Sequence, residues 1–214
     1  MLMNFCFKRP LPIRWRGFWV AVTGQVYKVI VYHYVDALVE TVGREAAKAV
    51  LRHARLPNLL SSPSLNVDET VSLESFKRLK VSSMKLFGRS YGAVVRRAGY
   101  LTALSTPFPK AVGSTVRFAS FFGGWRSILM LAVKSFFKPT GAKPELRTAV
   151  NGCLLKIHEC PECRDAECQS PCCYFMCGFV SGVLERLCEV RAEVVEVSCA
   201  ASGDECCEFL ITLV

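Results

Sequence analysis

Eleven of the chain's 12 cysteines fall between Cys153 and Cys207, and the twelfth, Cys6, stands alone near the N-terminus. Clustering this uneven restricts the chemistry to metal ligation, disulfides or reactive thiols. The first two require the chain to bring sulfurs that are distant in sequence to one place. The local pattern around the cysteines says how it can do so.

Residues 149–158 (AVNGCLLKIH) carry a short apolar run and predict a strand. A polar loop, ECPECRDAECQSP, follows. Pro171 then suits a helix start. Phe175, Phe179, Val183 and Leu187 recur at a helical period over 172–188. Gly178 and Gly182, four apart, let that helix lie close on a flat neighbour. Residues 190–199 predict a second strand, AASGD a turn, and CCEFLITLV a last strand. A helix joining the first two strands returns the chain to the start of the first, so these strands run parallel. The end of the first strand, the helix start, the end of the second strand and the start of the third then share one edge. Those places hold Cys160 and Cys163, Cys172 and Cys173, Cys199, and Cys206 and Cys207.

Cys160-Pro-Glu-Cys163 is a Cys-x-x-Cys knuckle, in which one tight turn supplies two thiolates to a tetrahedral zinc site. The partial positive charge of a helix N-terminus beside Cys172 and Cys173 favours thiolates there. Cys160, Cys163, Cys173, Cys199 and Cys207 are the candidate Zn²⁺ ligands. Disulfides remain an alternative, because some intracellular proteins of hot-living organisms keep them; free structural or reactive thiols are the third. Cys153, Cys177 and Cys188 lie within apolar faces and read as core cysteines. His158 is either a further ligand or an ordinary strand histidine.

The run Cys173-Tyr-Phe-Met-Cys-Gly178, then Gly182, then Glu196-Val-Ser-Cys199-Ala-Ala-Ser-Gly203-Asp204-Glu-Cys-Cys207-Glu-Phe209 resembles the C-terminal signature of the 4-vinyl reductase (bacteriochlorophyll-biosynthesis-like) domain family. Cys160 and Cys163 are similar to upstream cysteines of some members. The likeness covers roughly 149–213, is weaker over 26–56, and is poor between 98 and 145. It implies an α+β fold related to TRAPP vesicle-tethering subunits: an antiparallel-rich twisted sheet with helices packed mainly on one face. It also implies a module that binds an apolar, hydrocarbon-like small molecule, as a sensor or accessory protein. The reductase name does not establish an enzymatic activity.

The rest of the chain differs in charge. The net charge of +9 divides into +16 over residues 1–150 and −7 over 151–214. A basic body of this kind suits an anionic partner such as nucleic acid, a ribosome or a membrane surface, or it is solvated basic surface. Residues 1–16 read as a basic N-terminal extension without the apolar core and cleavage site of a signal peptide, which makes the cytoplasm the default location. Residues 17–214 then form a single domain with a basic, apolar insertion at about 98–145 and a cysteine-rich lobe at 149–214. Residues 17–34 predict a β-hairpin or two short strands. One helix is expected over 35–54, with Val35, Leu38, Val39, Val42, Ala46, Val50 and Leu51 on one stripe and Gly43 a tolerated interruption. Ser72 is placed to cap the next helix and Gly88 to end it. SYGAVVRRAGYLTAL is ambiguous. Residues 114–137 predict one helix, interrupted near Gly123-Gly124, and KPTGAKP a linker.

Three functions compete. The first is a ligand-binding module, homodimeric, with a closed Cys-ligated zinc site that is structural because it leaves no open coordination position. Phe118, Phe121, Phe122, Trp125, Leu129, Phe175 and Phe179 are its candidate pocket. The second is a nucleic-acid- or ribosome-associated protein using Arg44, Lys48, Arg52, Lys77, Arg78, Arg96 and Arg97. The third is a thiol enzyme with a redox Cys-x-x-Cys pair, or with a cysteine activated by His33, His53 or His158; nothing in the spacing demands it. Walker, Gly-x-Gly-x-x-Gly and His-Glu-x-x-His patterns are absent.

Overall fold

Alternating burial along two strands defines the sheet. In the computed structural model, which describes residues 6–7, 25–61, 70–105, 124–137, 141–150, 152–164 and 166–214, β5 (Gly152–His158) buries Cys153, Leu155 and Ile157 and β8 (Cys207–Leu213) buries Cys207, Phe209 and Ile211. The register sets Cys153 opposite Ile211, Leu155 opposite Phe209 and Ile157 opposite Cys207, so the two strands present one continuous apolar face. β4 (Lys143–Ala149) and β7 (Ala192–Ser198) complete an antiparallel sheet of order β4-β5-β8-β7. Because β5 and β7 each run antiparallel to β8, they run parallel to one another with β8 inserted between them. Two short pairs lie apart from it: β1 (Cys6–Phe7) with β6 (Ala166–Glu167), and β2 (Gln25–Tyr27) with β3 (Thr70–Ser72).

The helices are α1 (Lys28–Val42), α2 (Arg44–His53), α3 (Leu73–Phe87), α4 (Tyr91–Ser105), α5 (Trp125–Phe137) and α6 (Tyr174–Cys188). The chain is thus α+β, with a four-stranded antiparallel sheet. α6, the connection between β5 and β7, is buried along most of its length and packs on α4, α5 and β7. Its two glycines meet a helix rather than a sheet: a Cβ on Gly178 would lie 1.8 Å from the carbonyl oxygen of Arg96, and one on Gly99 would lie 2.0 Å from that of Phe175. The reciprocal pair lets α4 and α6 touch backbone to backbone, which assigns the ambiguous 91–105 segment a helix with a defined partner.

Several expectations are corrected. The strand expected through residue 34 is helix from Lys28 onward, because Ile30, Val31, Tyr34, Val35 and Leu38 bury one helical face and packing overrides the β preference of the branched residues. The single helix over 35–54 is two helices, broken at Gly43, whose φ of 84° is open to glycine and strained for other residues. Val150 is not in a strand but fully exposed beside the β4–β5 turn. The supposed linker enters β4 at Lys143. Ser72 and Gly88 do bound α3, with the Ser72 hydroxyl accepting from the Ser75 N–H at 3.2 Å. The extension at 1–16, apart from Cys6 and Phe7, most of the 17–34 segment before Gln25, and Phe118, Phe121 and Phe122 lie outside the described residues.

Candidate metal centre

Four elements end at one edge of the sheet. β5 stops at His158, and Glu159, in the left-handed region at φ 56°, turns the chain into the knuckle Cys160-Pro161-Glu162-Cys163. α6 begins just after Cys173, β7 ends just before Cys199, and β8 begins at Cys207. The turn after β7 is fixed by Asp204, whose carboxylate accepts the Cys199 N–H at 2.8 Å, and the loop after the knuckle is tied to that turn by the Cys168 N–H donating to the Ala201 carbonyl at 2.8 Å.

All five sequence-predicted ligands meet there, and all are buried. Sulfur–sulfur distances are 3.8 Å for Cys160–Cys173, 3.3 Å for Cys163–Cys207, 3.7 Å for Cys173–Cys207, and 3.9 Å from Cys199 to both Cys173 and Cys207. Four sulfurs at about 2.3 Å from one zinc would stand about 3.8 Å apart, so the spacing suits tetrahedral ligation. Two four-residue sets have ligand atoms that all lie within 4.8 Å of one another: Cys160, Cys163, Cys173 and Cys207; and Cys173, Glu196, Cys199 and Cys207. The buried cluster could therefore hold a metal.

Carboxylates complete the surroundings. Glu162 Oε1 and Oε2 accept the N–H groups of Phe175 and Met176 at 2.9 and 3.0 Å, and Glu196 Oε2 accepts that of Cys173 at 2.7 Å. The orphan donors at the α6 N-terminus are thus satisfied by a knuckle residue and a β7 residue. Burial pushes the Glu162 carboxyl up to about 7, opposed by Lys80, and pushes that of Glu196 up to about 8, opposed by the Cys173 N–H. Glu196 Oε1 is buried without a hydrogen-bond partner. Lys80 donates to the Glu162 carbonyl at 2.8 Å. Burial works against its charge, yet Glu162 and the Cys173 and Cys172 thiols outweigh that and hold its pKa above the ordinary value. Hydrogen bonds among the thiols, first from Cys163, hold Cys160 and Cys199 well below an ordinary thiol.

The remaining cysteines sort by place. Cys153, Cys177 and Cys188 are buried in the core, as expected, and burial raises their pKa values to about 11, 12 and 11. Cys206 sits near Glu208. The Cys168 and Cys172 sulfurs are 2.7 Å apart, and Cys172 is 3.9 Å from Cys199, a flanking pair that the sequence reading passed over. The cysteines from Cys153 to Cys207 are free thiols. Glu162, Glu196 and Lys80 were also missed as members of the site; for Glu196 the available signal was its place in the Glu-x-x-Cys motif. His158 pairs with Glu145 at 3.8 Å, His53 with Ser82 at 2.9 Å and His33 with Asp36 at 3.5 Å.

Beside the centre, a cavity of about 50 Å³ opens between α3, Tyr91 and the knuckle; Phe76, Val81, Met84, Lys80, Pro161 and Cys172 are among its lining. It is not the pocket expected from the aromatic residues. Of those, Leu129, Phe175 and Phe179 are buried, Trp125 is half-buried, and Phe136 lies between α5 and α6 with its ring centroid 4.0 Å from that of Phe179. Among the basic candidates, Arg44 and Arg52 are exposed and Lys48 pairs with Glu45. Arg78 donates to the Ala54 carbonyl, Arg96 to the Val194 carbonyl and Arg97 to Glu40, while Lys77 lines the cavity. Among the described residues, no helix is long and apolar enough to cross a membrane.

Comparison with known proteins agrees with this architecture. Two uncharacterized proteins of Methanocaldococcus jannaschii are similar: MJ0745, 30% identical over 82 residues (38% of this chain and 45% of the relative), and MJ0150, 31% identical over 64 residues (29% and 37%). The chain spans less than half the length of either. Among solved structures, a doubly substituted Tt H-NOX protein superposes with a TM-score of 0.56 at 12% identity, covering 88% of this chain and 95% of that one. An H-NOX protein from S. oneidensis in the Fe(II)NO ligation state gives 0.55 at 12%, covering 88% and 99%. At such identities the likeness is one of fold. The profile of the 4-vinyl reductase domain matches residues 154–213, the stretch that contributes every cysteine of the centre. Residues 154–213 of this chain therefore belong to the 4-vinyl reductase domain family.

Proposed function

We propose that this chain is a small-molecule-binding module whose C-terminal lobe is clamped by a cysteine-ligated zinc centre, and that ligand and metal communicate through the knuckle. The observation that carries this reading is a shared wall: Pro161 and Glu162 line the cavity, while the cysteines on either side of them, Cys160 and Cys163, stand in the thiol cluster. A molecule in the cavity would press on the same turn that presents two ligands. Glu162 extends the link, since its carboxylate also holds the start of α6.

The donor set suits zinc. Thiolates with one carboxylate, closely spaced and shielded, match a closed structural site, and such binding stabilises the fold it completes. Haem, named for an H-NOX relative, does not fit the described residues. The cavity is about a third of the size of an engineered cavity that takes benzene, and none of the three histidines lines it. The ligand is instead a molecule of a few heavy atoms, mostly apolar, with one polar end toward Lys80 or Glu162. The module acts in the cytoplasm as a homodimer.

Thermal denaturation of the zinc-loaded chain with methanol, acetone and phenol tests the ligand half. A rise in Tm for the smaller probes, lost in Val81→Trp, is expected. A flat response to all three, with zinc retained, would refute binding at this cavity.

A further inference from the structure

We infer that the centre holds two zinc ions that share the thiolates of Cys173 and Cys207. This rests on the metal-centre reading above and goes beyond it, because a single ion leaves part of the cluster unexplained. The two candidate sets have those two cysteines in common. Cys160 and Cys163, from the knuckle, complete one; Glu196 and Cys199, from the end of β7, complete the other. The shared sulfurs are 3.7 Å apart, the length of one edge of a zinc–thiolate tetrahedron, which is about 3.8 Å. Two tetrahedra joined along that edge use each of the six residues as a ligand.

Either ion alone strands two buried groups. With zinc only in the knuckle set, Cys199 stays unligated 3.9 Å from two bound thiolates, and Glu196 Oε1 stays buried with nothing to bond. With zinc only in the β7 set, Cys160 and Cys163 lie buried and unligated, 3.8 and 3.3 Å from thiolates of that set. Buried polar groups left in this way are costly, and charged ones more so. Two divalent ions balance four of the six negative charges of five thiolates and one carboxylate. The α6 N-terminus and the ammonium of Lys80 stand beside the remainder. An iron–sulfur cluster is a poorer fit, because sulfurs within 4.8 Å of one another enclose bare ions and leave no room for inorganic sulfide.

The test is metal stoichiometry on the full chain, with connectivity read by cadmium. Elemental analysis and native mass spectrometry of zinc-loaded protein should give two ions per chain. Cys160→Ser/Cys163→Ser should retain one, and Glu196→Gln/Cys199→Ser should retain one. The ¹¹³Cd-loaded chain should show two resonances that split each other through the shared sulfurs. One zinc in the unmodified chain overturns the shared pair and leaves the single-ion centre standing. Two ions without mutual cadmium splitting overturn the sharing alone. No bound zinc overturns both this inference and the metal centre. Should either double variant fail to fold, the unmodified chain's stoichiometry and cadmium splitting decide.

Discussion

Glu162 shows how much a single side chain does in this fold. Its carboxylate holds two N–H groups of α6, its carbonyl receives Lys80, and its knuckle carries cluster cysteines on both sides. Replacing it with alanine removes charge-assisted hydrogen bonds to a buried helix end, and chemical denaturation should show a loss of about 3 kcal/mol. Glu162→Gln keeps an acceptor and should recover part of that loss. His33 gives a pH signature away from the metal. Burial lowers its pKa below the ordinary 6.5, with Asp36 opposing. The folded state then binds fewer protons than the unfolded one, so the stability this residue supports is complete above pH 6.5 and is lost as pH falls through the folded pKa. Urea midpoints compared between about pH 7.5 and about pH 5.5 should fall less in His33→Gln than in the unmodified chain. Equal falls would place the acid sensitivity elsewhere.

Among the elements, the strand–helix–strand order of the C-terminal lobe was legible because its periods were clean, and that order alone brought five cysteines to one edge. β4 was not legible. Lys143-Pro-Glu-Leu-Arg-Thr-Ala149 is polar and carries Pro144, which reads as a linker. It is an edge strand, where a missing N–H and charged side chains are tolerated. α1 was misread because a β-branched run states a local preference, while the choice of helix is made by burial against α4, which no local window contains. The role of Glu196 was hidden for a related reason: it depends on a register shift between Glu196 and Ser198 and on a helix end contributed from elsewhere in the chain. The α4–α6 contact is testable in the same terms. Gly178→Ala forces a Cβ into the Arg96 carbonyl and should cost about 3 kcal/mol. Gly92→Ala meets only the Tyr174 ring at 3.3 Å, which can shift. That variant should stay within about 1 kcal/mol of the parent by denaturant titration.

At the scale of the whole molecule, part of the charge asymmetry is spent inside the protein. Lys80, Arg96 and Arg126, from the basic body, donate to carbonyls of Glu162, Val194 and Gly152 in the acidic lobe. The body's cations therefore help to hold the lobe, and Lys80 does so beside the thiols. Lys80→Met should weaken zinc binding about 10-fold or more, as loss of a supporting contact does in other metal sites; competition with a chromophoric chelator measures it. The claim on which these readings converge is that metal at the sheet edge clamps the C-terminal lobe to itself. Hydrogen exchange on zinc-loaded and chelator-stripped chain tests this most directly. Protection should collapse around 160–173 and 199–207 on stripping, while α1 and α4 keep theirs. Unchanged protection at those two stretches, with the metal verifiably gone, would contradict it.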